Sequence, residues 1–202
     1  MKHIITIQHA QSEQHVNGMI GSWTDWDLTE LGKEHAENIG RKLSAELQGQ
    51  ACAQAWKIYS SDLLRTRRTA EPLARYMGLE VEYLPKLREH NIGEACGKSK
   101  EWCNQHRNWP LHSFDDRLFP SAESWREFWD RVTEVCNEII ADEAENIILV
   151  AHGGTLAVWH HAWLGEEVQD CKFGPAGGAS FMEMDDTRKR VITRLNDRSY
   201  ML

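Results

Sequence analysis

Apolar and polar positions along the chain follow two periods. Unbroken β-branched runs at Ile4-Ile5-Thr6-Ile7 and Ile147-Ile148-Leu149-Val150 predict strands buried on both faces, as in a parallel sheet. The first run ends on His9 and the second on His152. Trp56-Lys57-Ile58-Tyr59 predicts another strand, and Leu79 to Leu84 a further one that stops at Pro85. Helical spacing fills the intervals. Thr29 is read as the N-cap of a helix with Ala36, Ile39, Leu43 and Leu47 on its apolar stripe. A second helix carries Leu63, Leu64, Ala70, Leu73 and Met77, with Ser60-Ser61-Asp62 as its cap and Gly78 as its stop. Trp125, Phe128, Trp129, Val132, Val135, Ile139 and Ile140 recur on a third, and a fourth runs from about Leu156 to Trp163, stopping at Gly165. Ala179 to Leu195 reads as one or two edge strands with a turn near Asp185-Asp186. From Leu87 to Pro120 the pattern is irregular and predicts an insertion covering one edge of the sheet. Alternating strands and helices imply one layered α/β domain spanning residues 1–202, with a mostly parallel sheet.

Composition narrows the class. Apolar residues are 41% and charged residues 27% of the 202 positions, a globular balance with no run that could span a membrane. The net charge of −8 argues against nucleic acid as the main partner. Any anionic ligand must therefore be held by local positive charge. Cys52, Cys96, Cys103, Cys136 and Cys171 are odd in number and irregular in spacing, which predicts reduced thiols in a cytoplasmic protein. The nine tryptophans read mainly as packing for irregular structure.

The two histidines then change the picture. In open α/β sheets, ligands bind beyond the carboxyl ends of the strands. His9 and His152 would both be delivered there, one as nucleophile and one as electrophilic partner. Arg65 falls in the first turn of the second helix, where the dipole and free N–H groups suit an anion and a guanidinium matches phosphate oxygens. Glu89, in Leu87-Arg88-Glu89-His90-Asn91-Ile92-Gly93, could serve as proton donor after a strand. Gly153 and Gly154 would let the backbone approach a ligand closely.

Taken together, His9 with Ser12, Ser61 through Thr69, Leu87 through Gly93 and His152-Gly153-Gly154 resemble the histidine phosphatase superfamily, which includes the cofactor-dependent phosphoglycerate mutases. Gly18 to Gly32 and Pro120 to Ser124 look like the family as well, so the resemblance covers nearly the whole chain. It implies a three-layer α/β/α, phosphoglycerate-mutase-like fold and an irregular substrate-side insertion at about 94–120. It also implies a catalytic set in which His9 becomes a phosphohistidine, Arg65 and His152 hold the phosphoryl oxygens, and Glu89 protonates the leaving oxygen. Ser12, Gly153, Gln8 and Arg68 join them as phosphate- or substrate-binding candidates. No metal or organic cofactor is implied, and the expected partner is a phosphorylated small molecule.

The chain departs from the family signature beside the nucleophile, where Gln8 stands for the usual Arg and Ala10 for the usual Gly. A neutral amide gives weaker hydrogen bonds than a guanidinium. Three readings of Gln8 follow: a weakened member that binds phosphorylated ligands, a working phosphatase with compensation elsewhere, or a change introduced into an active parent. Arg68, at a position commonly Gln or Glu in the family, is the candidate compensation; its ordinary reading is a helix-surface cation. Few basic residues follow Gly97 (Lys98, Lys100 and Arg107, among Trp102, His106 and Trp109), which favours a phosphatase over a mutase. His15 is a further anion-contact candidate.

Overall fold

The computed structural model describes residues 1–48 and 56–202; the expectation for Cys52 lies outside the described residues. The first strand, β1 (Lys2–Gln8), occupies the middle of a six-stranded sheet. It is followed by helix α1 (Glu30–Gln48), strand β2 (Trp56–Ser60), helix α2 (Leu64–Met77) and the short strand β3 (Val81–Tyr83). Helix α3 (Lys100–His106) lies in the insertion, and helix α4 (Trp125–Ala141), strand β4 (Asn146–Ala151) and helix α5 (Gly153–Leu164) complete the wound core. Strands β5 (Ala179–Met184) and β6 (Arg190–Asp197) close the chain. The order across the sheet is β3-β2-β4-β1-β5-β6. The pairings of β1 with β4, β4 with β2 and β2 with β3 are parallel, while those of β5 with β1 and with β6 are antiparallel.

Strand side chains alternate between two cores. Ile5, Ile7, Ile58, Ile148 and Val150 pack with Ile39 and Leu43 of α1 and Leu73 of α2. Ile4, Tyr59, Ile147 and Leu149 pack with Phe128 and Val132 of α4 and Trp159 and Trp163 of α5. Helices thus cover both faces of a mostly parallel sheet, as the sequence implies. Thr29 caps α1 through Oγ1, which accepts from Gly32 N at 3.0 Å. Gly78 and Gly165 end α2 and α5 in the left-handed conformation.

Two expectations need correction. The cap of α2 is not built by Ser60-Ser61-Asp62: the capping position is Leu63, and Asp25, from the loop after β1, accepts from Leu64 N at 3.1 Å. The insertion is not wholly irregular. It contains α3, and it docks on the loop after β1. Ile20 N donates to Lys98 O and Gly97 N to Ile20 O. Ile20, Ile92 and Trp102 close over a small core of Ala95, Cys103, Phe119 and Ala122. Cys96, Cys103, Cys136 and Cys171 are unpaired.

Candidate active site

His9 and His152 leave adjacent parallel strands at the carboxyl edge, and their rings meet edge to face with centroids 5.2 Å apart. Both are buried. His9 Nδ1 lies 2.8 Å from Ala10 O. A carbonyl only accepts, so the ring proton sits on Nδ1 and Nε2 keeps its lone pair. Burial first, then the charge of Arg65 and the neighbouring His15, push His9 well below the usual imidazole range, so it is neutral at pH 7. Burial and Arg65 depress His152 likewise. His152 caps the N-terminus of α5; its Nε2 pairs with Ser61 Oγ at 2.9 Å, and its Nδ1 is buried without a partner.

Arg65 is almost fully buried, and burial pushes it down to about 10, still charged at neutral pH. Its terminal nitrogens donate to Ser22 O and Thr24 O, each at 2.7 Å, while Nε has no partner. Helix α2 is stitched to the nucleophile loop through Thr69: Ala10 N donates to its Oγ1, which donates to Arg65 O. A buried cation with an unspent donor, beside two neutral imidazoles and a helix N-terminus, is an arrangement that suits an anion.

Glu89 faces α5 from the loop after β3. Its Oε2 accepts from Gly154 N and its Oε1 from His90 N, both at 2.9 Å. A Cβ on residue 154 would stand 2.3 Å from Oε1, so glycine is what allows this approach. Ser12 is buried, and its N–H donates to His15 Nδ1 at 3.1 Å. Gly153 opens α5 beside the Gln8 side chain. Gln8 shares the strand face of Thr6, which bonds His160 of α5, and makes no side-chain hydrogen bond among the described residues. It looks into a cavity of about 210 Å³ with Leu156, Lys172 and Asn196 in its wall.

The structure therefore brings His9, Arg65, His152, Glu89, Ser12 and Gly153 together. Arg68 is not among them: it lies half exposed, paired with Glu71 at 3.2 Å, as a helix-surface cation does. A 100° helical step puts Thr69 nearer the Arg65 face than Arg68. Charge has not been relocated from position 8 to position 68.

Three contributors lay outside the sequence reading or were weakly marked in it. His15 stacks on His9, with centroids 5.3 Å apart and planes 8° from parallel. Trp23 Nε1 donates to Glu89 O at 2.7 Å. Arg131 of α4 reaches the same carbonyl at 3.2 Å and is held by a two-bond pair with Glu123. The one sequence signal for His15 is its place just past the nucleophile. Trp23 was marked only as part of the Gly18–Gly32 resemblance and Arg131 gave no signal, because their role exists only once distant segments meet. Among the described residues, no three His, Cys, Asp or Glu side chains converge in a way that could hold a metal ion. Nor is any described helix long and apolar enough to cross a membrane.

Fold and site define a doubly wound α/β protein with a buried histidine pair at its carboxyl edge. The chain belongs to the histidine phosphatase superfamily (branch 1), whose sequence profile matches residues 4–198. It is 31% identical over 161 residues to a Hydrogenobacter thermophilus protein named "Putative phosphoserine phosphatase 2", covering 77% of this chain and 75% of that protein. It is 29% identical over 164 residues to a 2,3-bisphosphoglycerate-dependent phosphoglycerate mutase of Methylocella silvestris, covering 76% of this chain and 77% of the mutase. In structure it is similar to mycobacterial glucosyl-3-phosphoglycerate phosphatase, with a TM-score of 0.79, 21% identity and coverage of 96% of this chain and 98% of that one.

Proposed function

We propose that the protein hydrolyses small-molecule phosphomonoesters through a phosphohistidine on His9. The observation that carries this reading is the fixed tautomer of a buried, neutral His9 beside Arg65 and His152. His9 Nε2 attacks phosphorus as the bond to the ester oxygen breaks. Arg65 and His152 hold the phosphoryl oxygens, and Glu89 gives a proton to the leaving oxygen. Water then attacks the phosphohistidine, Glu89 takes its proton, and inorganic phosphate leaves with His9 restored. Ser12 and the α5 N-terminus at Gly153 complete the anion pocket. No cofactor enters this scheme.

Phosphatase is favoured over mutase by the state of the basic residues on the substrate side. Lys98 lies over the Trp102 ring and Arg107 over the Trp109 ring, and of Lys98, Lys100 and Arg107 only Lys100 acts on the site, through its charge on His15. One observation favours a second reading, a catalytically impaired phospho-ligand-binding protein: Gln8 brings no charge and makes no side-chain bond. Rapid-quench mixing with p-nitrophenyl phosphate separates the two. An acid-labile phosphoenzyme, lost together with turnover in His9→Ala, is the expected result. Tight vanadate binding without phosphoenzyme or turnover would overturn it in favour of the binding protein.

A further inference from the structure

A cavity of about 580 Å³ opens between the insertion, the start of α4 and the segment after α5. Aromatic rings of Trp109, Phe114 and Trp125 line it, with His90 on its inner wall. His90 is the next residue to Glu89, and its own N–H is what Glu89 Oε1 accepts. His90 Nε2 pairs with Glu123 O, and the Glu123 carboxylate holds the Arg131 that grips Glu89 O. One wall of the cavity is thus built on the loop that aims the proton donor. The lining reaches this loop at His90, one residue from Glu89, whose own carboxylate is turned to the N-terminus of α5.

The charges in the cavity select what fits. Its lining holds three carboxylates, Asp116, Glu123 and Asp170, and one guanidinium, Arg126. Arg126 is engaged by Asp115 at 2.6 Å, and Glu123 by Arg131. Asp116 accepts from the backbone of His112 and Ser113, while Asp170 has no partner among the described residues. Arg107, stacked on Trp109 at 4.9 Å, is not part of the lining. No cation is left to meet an acidic substituent, and an uncompensated carboxylate would repel one. Broad aromatic faces instead suit flat apolar groups.

The geometry points to this cavity as the leaving-group subsite, specific for phosphomonoesters whose alcohol carries an aromatic group and no carboxylate. The inference rests on the phosphatase reading and separates this chain from relatives named for phosphoserine and phosphoglycerate. The test compares alkyl esters of similar leaving ability: 2-phenylethyl phosphate, ethyl phosphate, phosphoserine and 3-phosphoglycerate. 2-Phenylethyl phosphate is expected to exceed both acids in kcat/KM by about a hundredfold. Trp109→Ala, at an exposed position, should raise KM for 2-phenylethyl phosphate about tenfold and leave ethyl phosphate unchanged. Asp170→Lys should raise kcat/KM for 3-phosphoglycerate about tenfold. Calorimetric binding of the same esters to His9→Ala reads the preference without turnover. If no ester is hydrolysed, the phosphatase reading fails, while the binding order still decides the subsite. Preference for the acids, or equal affinity for phenylethyl and ethyl esters, overturns the assignment.

Discussion

Gly154→Ala isolates the proton donor from the rest of the site. The added methyl would stand 2.3 Å from Glu89 Oε1 and 3.1 Å from its Cδ. Carbon and oxygen ordinarily rest about 3.3 Å apart or more, so the carboxylate must retreat by about 1 Å. That retreat breaks its bond from Gly154 N, now 2.9 Å. Loss of such a charged hydrogen bond costs about 1.5–3 kcal/mol. The displaced carboxylate recovers much of this from water, and alanine gains about 1 kcal/mol over glycine within a helix. Thermal stability should therefore change little, by less than about 4 °C. Catalysis is the sensitive quantity, since a 1 Å misplacement costs about a hundredfold. The assay is steady-state kinetics on two esters of different leaving ability. With 2-phenylethyl phosphate, whose alkoxide needs a proton, kcat/KM, which reports the phosphorylation of His9 and not the shared hydrolysis of the phosphohistidine, should fall about a hundredfold. With p-nitrophenyl phosphate, whose phenolate leaves unaided, it should fall less than about tenfold. An equal fall for both esters, or no fall for either, would refute the role given to Glu89.

Two further outcomes follow from the same geometry. Gln8→Arg should raise kcat/KM about tenfold or more by placing a charged donor beside Gly153 at the N-terminus of α5, whereas Arg68→Gln, on a surface residue, should do nothing, and the double variant should match Gln8→Arg; a loss in Arg68→Gln would contradict the surface placement. His160 is partly buried, and the loss of water around it lowers it to about 4; because the unfolded imidazole binds its proton near pH 6.5 and the folded one does not, stability is full above pH 6.5 and declines as pH falls toward 4, by on the order of 3 kcal/mol at most from this residue. Urea midpoints measured from pH 7.5 to 4.5 should drop in the wild type and drop less in His160→Gln, and parallel curves would count against it.

The parts of the molecule that were legible in the sequence are those fixed by local chemistry. Ile4 to Ile7 and Ile147 to Val150 announce central strands because both faces are buried, and the histidines that end them follow at the sheet edge. Thr29 announces a helix start because its hydroxyl serves the same turn. The cap of α2 was not legible, since Asp25 lies 39 residues from its partner Leu64. For the same reason the grip on Glu89 by Trp23 and Arg131 was hidden: each comes from a different segment and acquires its role only on docking. Arg68 was misplaced because a one-residue step around a helix separates a buried face from a wet one, and composition does not record that step. The helix inside the insertion was obscured by its brevity, which leaves too few turns for a periodic stripe.

The two carbonyls that Arg65 holds, Ser22 and Thr24, flank Trp23, whose indole fixes Glu89. A single tripeptide therefore ties Arg65 to Glu89, the groups proposed to hold the phosphoryl oxygens and to protonate the leaving oxygen. Its members hang together as one clasp, bound on one side to Arg65 and on the other to the Glu89–His90 loop. A change within this clasp would therefore be felt at both groups at once.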